Sequence, residues 1–174
     1  GSLHADFYDR FKRHERIDKR QKDYESSIYQ PRLTVTSNYF NGHSLILGME
    51  HTSDELTSDR FSGNANHDLK TRALKETEYF LQDEWTINPR WMISAGIRTN
   101  FSKAFGFMGM PKVAAKYSPD KHWSLRANYS MGYRSPSIKE LFFNWDHLGM
   151  FMIRGNENMR PEKNNYFSLG AEYS

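Results

Sequence analysis

The sequence predicts an all-β fold: an antiparallel up-and-down meander of about eight strands, with one short helix inside a long loop. Three observations predict it. Apolar and polar residues alternate with a period of two over most of the chain. Tight-turn residues separate pairs of alternating runs, and aromatic residues gather near the run ends. In "RWMISAGIRTNF" (90–101), Trp91, Ile93, Ala95, Ile97 and Phe101 share one face, while Arg90, Ser94, Arg98 and Asn100 share the other. In "HWSLRANYSMGYR" (122–134), Trp123, Leu125, Ala127, Tyr129, Met131 and Tyr133 oppose His122, Ser124, Arg126, Asn128, Ser130 and Arg134.

Weaker copies occur at 3–14, 29–40, 43–53, 77–88, 109–118 and 165–174. "NG" (Asn41–Gly42), "NP" (Asn88–Pro89) and "SPDK" (Ser118 to Lys121) predict tight hairpin turns. Between them lie longer polar segments, 15–27, 54–76, 102–108 and 135–163. Short and long connections alternate strictly in this reading, which gathers all the short turns at one end of the sheet and all the long loops at the other.

That asymmetry points to an arc of a large transmembrane β-barrel, with short periplasmic turns, long extracellular loops and strands apolar outside and polar inside. An eleven-residue strand at about 3.3 Å per residue, tilted about 45°, crosses the roughly 25 Å apolar band. Trp85, Trp91 and Trp123 fall at the short-turn end, Phe101 and Tyr133 at the other, as two interfacial girdles would. A polar lumen face and polar loops also account for a chain that is polar on average yet 15% aromatic.

No apolar run is long enough for a transmembrane helix, and no signal peptide opens the chain. Gly1 and Ser2 have the look of residues added for expression. Leu3 to Arg13 already reads as structure, and "YFSLGAEYS" stops inside an alternating run, so residues 3–174 are expected to be an incomplete barrel from a longer protein. The edge strands of such an arc are expected to pair with another chain or to be covered by rearranged loops. With no cysteine there is no disulfide framework or thiolate metal site. A net charge of +3 gives no electrostatic case for nucleic acid. The charge run "RHERIDKRQKDYE" (13–25) reads as a solvated loop.

The segment 135–163 carries the chemistry. Ser137 with Glu140 fits a capping box, Pro136 suits the start of a first turn, and Ile138, Leu141, Phe142 and Trp145 recur at helical spacing. After them comes a lone histidine, His147, among aromatics and glycine.

"GYRSPSIKELF" (132–142) followed by "GNENMRPEKNNYFSLGAEYS" (155–174) resembles the matching pair of boxes in TonB-dependent outer-membrane receptors. "YFLQDEWTINPRWMISAGIRTNFSKAFG" and "PKVAAKYSPDKHWSLRANYSMGYRSPS" are similar to barrel segments of the same family. The resemblance covers most of 28–174, with departures: Ser135 stands where alanine is usual and Met159 where leucine is usual, while Asn156 and Asn158 are kept.

The resemblance implies a bacterial outer-membrane receptor without catalysis, set in outer-membrane lipid and importing haem or another iron carrier. It also implies energising by the TonB complex through a plug domain that this chain does not include. In haem receptors the loop joining the two boxes carries an iron-ligating histidine, and His147 holds that place; Met150 is a softer second contact. Haem or a ferric chelate would then be the transported ligand, with no intrinsic cofactor. Phe142, Phe143, Trp145 and Phe151 are close enough in sequence to pack on a porphyrin. Tyr133, Arg134, Asn156 and Asn158 complete the candidate ligand-binding set. His51 and His67, near another long loop, and Arg126, on the lumen face, are further candidates.

Other classes remain. No nucleophile elbow, "HExxH" or phosphate-binding glycine loop supports an enzyme, and Glu78, Gln82 and Glu84 read as a lumen stripe rather than a catalytic carboxylate pair. A soluble β-rich binding module would bury Trp91, Ile93, Leu125 and Tyr129 in its own core, whereas a membrane arc leaves them outside. Glycan or other nutrient import by the same superfamily separates from haem by titration.

Overall fold

A computed structural model of the chain describes residues 2–14, 24–38, 40–62, 68–147 and 149–174, with the backbone alone for 2–14 and for His147. The elements are β1 (Ser2–His14), β2 (Tyr24–Ser37), β3 (His43–Ser58), a 3-10 turn (Asp59–Phe61), β4 (Lys70–Asn88), β5 (Trp91–Ser102), β6 (Gly106–Tyr117) and β7 (Trp123–Arg134). Then follow the helix α1 (Ile138–Phe142), β8 (Asn144–His147), β9 (Phe151–Arg154) and β10 (Glu162–Tyr173). One 8-stranded sheet runs β1-β2-β3-β4-β5-β6-β7-β10, and β8–β9 form a separate ribbon. Every pairing is antiparallel, so the wall is the expected meander, with one excursion between β7 and β10.

The short turns form for identifiable reasons. At Asn41–Gly42 the His43 N–H donates to the Phe40 carbonyl at 3.0 Å, and Gly42 takes φ 77°, a conformation that favours glycine. Asn88 Oδ1 accepts from the N–H groups of Arg90 (2.9 Å) and Trp91 (3.0 Å), and Asp120 Oδ1 does the same for His122 (2.8 Å) and Trp123 (3.0 Å).

Register assigns the faces. Leu47, Leu81, Ile97 and Pro111 lie opposite one another across β3 to β6, and Ala95, Val113, Tyr129 and Phe167 across β5 to β10. These outward residues stay open to the surroundings: Leu47 is 48% exposed, Leu81 47%, Ile97 46% and Phe167 66%. Trp91, Leu125 and Tyr129 are exposed too, whereas Ile93 is half-buried among its neighbours. A water-soluble module does not leave such a ladder uncovered. Lipid covers it.

Aromatic pairs border that band. At the short-turn end His43 stacks on Trp85, Trp91 on Tyr117, and Trp123 packs on Tyr173; at the other end Phe101 bridges Tyr79 and Phe107. From Trp85 to Thr77, which pairs with Phe101, is about 26 Å along the strand, or roughly 20 Å of height at the usual tilt.

The inner face is polar and largely self-paired. Glu50 accepts from Gln30 and lies 3.6 Å from Arg32; Arg98 donates to Glu78 at 3.0 Å and Arg126 to Glu172 at 3.2 Å. Phe80 lies between the Arg32 and Arg98 guanidinium groups, 5.1 and 5.5 Å from its ring centre, and folds across Gly48, its partner in register.

Three expectations need correction. The segment 54–76 is mostly strand, because β3 runs to Ser58 and β4 starts at Lys70; β2 likewise starts at Tyr24 rather than 29. Above the band the outward residues are polar (Ser53, Glu55, Thr57, Lys75), and the apolar ones, Leu56 and Leu74, fall on the inner face, so the alternation reverses phase and looks like loop. The segment 102–108 is a three-residue turn, 103–105, closed by Gly106 at φ 78°, so the alternation of short and long connections fails there. Among the described residues no loop covers the free edge of β10, where every residue but Ser168 is exposed, which leaves pairing with another chain as the expectation for that edge. Most of the charge run 13–25, and His67, lie outside the described residues.

Because a Cβ at Gly48 would run into the Phe80 ring and the Leu33 carbonyl, Gly48→Val should lower the unfolding free energy of the barrel by about 1–3 kcal/mol. Gly109→Val, where the nearest atom to an added Cβ is in the Phe107 ring at 3.9 Å, is the control expected to leave the urea midpoint nearly unchanged.

Candidate functional site

The excursion between β7 and β10 is built around α1. Pro136 precedes the cap, and Ser137 caps the helix with extended backbone (φ −74°, ψ 161°). Its Oγ accepts from the Glu140 N–H at 3.3 Å, and the Glu140 carboxylate accepts in return from the Ser137 N–H at 2.8 Å. The capping box predicted from the sequence is therefore present. The helix ends earlier than the apolar spacing implies: Phe143 is already extended (φ −66°, ψ 133°), which puts Trp145 on β8.

The other box closes the helix from its far end. The Gly155 N–H donates to the Phe143 carbonyl, and the Asn156 N–H to the Glu140 carbonyl at 2.9 Å. A Cβ on Gly155 would come within 2.6 Å of the Leu141 carbonyl, so the close approach requires glycine. Asn156 Oδ1 is taken by the Asn158 N–H at 3.0 Å, while the Met159 N–H reaches the Asn156 carbonyl at 3.1 Å. Asn156 and Asn158 thus shape the return turn.

At the base of the excursion, Arg134 ends β7 and faces Glu162, the first residue of β10. Its guanidinium donates to Glu162 at 3.1 Å and to Glu140 at 3.1 Å, tying two strand ends to the helix. Ser135 Oγ donates to Glu76 on β4 and lies 3.2 Å from Tyr133 Oη. Glu140 is held down to about 2 from its ordinary 4.5, first by the Ser137 N–H and then by Arg134.

Apolar side chains seat this unit on the inner face of the tall strands. Ile138 (2% exposed) and Phe143 pack with Leu56 of β3 and Phe61 of the 3-10 turn, flanked by Tyr24, Leu74 and Phe142. Phe61 and Phe143 meet edge to face at 5.4 Å. Phe143 is therefore core. Phe142 keeps one face under the Arg72 guanidinium (4.8 Å), and Arg60 covers Trp145 at 4.4 Å.

Beyond that core the chain forms the β8–β9 ribbon, whose β8 strand meets the 3-10 turn through Arg60 and Trp145. Its tip turns at Gly149 (φ 72°), whose N–H donates to Asp146 Oδ1 at 3.1 Å. Met150, Phe151, Met152 and Ile153 are exposed, Met150 at 69%. His147 lies opposite Phe151 in register. A recess of about 380 Å³ opens beside the ribbon, lined among others by Arg72, Phe142, Asn144, Arg154, Gly155 and Glu157. Neither arginine has a carboxylate partner among the described residues; Arg154 Nε contacts Met152 Sδ at 3.1 Å.

The structure thus gathers Tyr133, Arg134, Phe142, Trp145, His147, Met150, Asn156 and Asn158 into one excursion, with structural duties for several of them. His51 is elsewhere, on the outward face, its Nδ1 2.9 Å from Thr77 Oγ1. Arg126 pairs with Glu172 on the lower wall. Arg72 and Arg154 were not legible as site residues, because Arg72 sits in a stretch read as loop and Arg154 carries no motif.

The TonB dependent receptor-like β-barrel family model matches residues 3–174. The chain belongs to that family. It is 26% identical over 138 residues to the iron-regulated outer membrane virulence protein of Vibrio cholerae serotype O1, in alignments covering 76% of this chain and 20% of that protein. A variant of the ferric enterobactin receptor PfeA of Pseudomonas aeruginosa superposes with a TM-score of 0.73 at 18% identity, over 87% of this chain and 25% of that one. The siderophore receptor PirA of the same organism gives a TM-score of 0.70 at 18% identity, over 87% and 28%. The chain therefore spans from about a fifth to just over a quarter of the length of these proteins. TonB-dependent receptor membership places this barrel arc in the bacterial outer membrane.

Two outcomes test the excursion. Ile138→Ala should cost about 2–5 kcal/mol locally, seen as faster amide exchange across 138–156 with the band strands unchanged. Because Glu140 is held low, the helix start should keep its stability above pH 4.5 and lose it as pH falls towards about 2, read by the exchange of the Glu140 amide.

Proposed function

We propose that this arc contributes the extracellular mouth of a receptor that imports an anionic, partly aromatic ferric chelate. The observation that carries this reading is the recess beside the β8–β9 ribbon. It presents two arginines without carboxylate partners among the described residues, with Glu157 also in the lining; Arg154 touches Met152, and the ribbon that carries them leaves Met150, Phe151 and Met152 exposed. Guanidinium groups hold carboxylate or catecholate oxygens by paired donors, and soft apolar side chains cover the organic rim of a chelate. The iron-regulated relative and the siderophore receptors of the same shape support the substrate class.

Binding and transport, with no bond made or broken in this chain, is the proposed role. The rest of the barrel and a plug domain would lie outside residues 3–174. Coupling to the TonB complex would act through that plug, and the chelate is cargo rather than a resident cofactor.

Haem is the second reading. It is favoured by the position of His147, in register with Phe151 and next to the exposed tip. Neutral imidazole is an ordinary axial ligand of haem iron.

Titration of the intact receptor separates the readings. With a ferric tris-catecholate, Arg72→Ala and Arg154→Ala should each weaken binding about tenfold, from the loss of charge-assisted hydrogen bonds. Unchanged affinity in both variants would sink the chelate reading. Haem should give a Soret shift that His147→Ala abolishes if haem is the cargo, and no histidine-dependent shift if it is not.

A further inference from the structure

We propose that the outward surface of β3 to β6, just above the upper aromatic belt, binds the phosphate of a lipid headgroup in the outer leaflet. The site is a shallow recess of about 500 Å³ lined by His51, Lys75, Thr77, Phe101, Lys103 and Phe107. Register places it on the lipid side. His51 pairs with Thr77 and Thr77 with Phe101, in phase with the exposed ladder of Met49, Tyr79, Leu47 and Leu81.

Its depth is equally defined. Phe101 and Phe107, in contact at 4.9 Å, form a floor at the top of the apolar band, where acyl chains meet headgroups. Lys75 stands one residue above Glu76, whose partner Ser102 is the last residue of β5, and Lys103 follows Ser102 directly. Lys75 on β4 and Lys103 in the 103–105 turn therefore both line the recess at headgroup height.

Among the described residues, the arginines of the lumen wall between β2 and β10 are paired, whereas the two lysines of this recess are not. Inside, Arg32, Arg98, Arg126 and Arg134 each face a carboxylate within 3.6 Å. Lys75 and Lys103 have no carboxylate partner among the described residues. The nearest acid in register on this face is Glu55, opposite Ala73 and one outward position farther from the band. Two unpaired cations over an aromatic floor, facing lipid, suit a ligand that carries a phosphate above hydrocarbon. A free anion would gain nothing from the floor.

The intact outer-membrane protein in detergent, examined by native mass spectrometry with three probes, tests the site. These are a short-chain phosphatidic acid, the diacylglycerol with the same chains, and inorganic phosphate. Phosphatidic acid should be retained, and the other two should not. K75Q/K103Q should weaken retention about 30-fold and each single change about fivefold, whereas K75R/K103R should keep it. Lys121→Gln, in the turn at the opposite end of the strands, should have no effect. Unchanged retention in the double variant, equal retention of inorganic phosphate, or an equal loss with Lys121→Gln would overturn the assignment. The mobility of unheated barrel in a gel confirms that each variant is folded.

Discussion

Each strand of this wall separates two media, and the pleat is the device that lets it do so. Successive side chains point to opposite faces, so one strand shows lipid a row such as Leu47, Leu81 and Ile97 while showing the lumen Glu50, Glu78 and Arg98. The backbone groups pair between neighbouring strands, which is the condition for crossing a bilayer without helices. The turns, girdles and ion pairs described above all serve that division.

At the top of the apolar band the outside medium becomes water and the inside becomes protein. The side chains change phase accordingly: Leu56 and Leu74 face inward to receive Ile138 and Phe143, while Ser53, Thr57 and Lys75 face out. The excursion between β7 and β10 is therefore seated in a hydrophobic socket and closed by its own hydrogen bonds. Gly155 and Asn156 complete one end of α1, Ser137 and Glu140 the other, and Arg134 gathers both strand ends. The two sequence boxes meet in space for this reason.

The band was legible in the sequence because lipid imposes a strict period of two on twelve-residue stretches such as β5 and β7. The tight turns were legible through Asn41–Gly42, Asn88 and Asp120. The tall ends of β3 and β4 were not, since the pattern inverts where the outside medium changes. The 103–105 turn was hidden inside "SKAFG", where small and polar residues look like a longer loop. The site was half legible. The capping box stands in the sequence, but Arg72 and Arg154 come together only through the way α1 seats the ribbon, a tertiary fact with no local signature.

The unequal strand heights have a consequence for how a solute arrives. β4 rises six residues beyond its last pair with β5, from Glu76 to Lys70, or roughly 20 Å along the strand, while β5 and β6 stop at their tight turn. The rim is thus a slope with a back wall, not a level ring. A bulky molecule drifting over the low side meets that wall broadside and then explores a surface instead of a volume. Its search for the recess loses a dimension before any specific contact has formed.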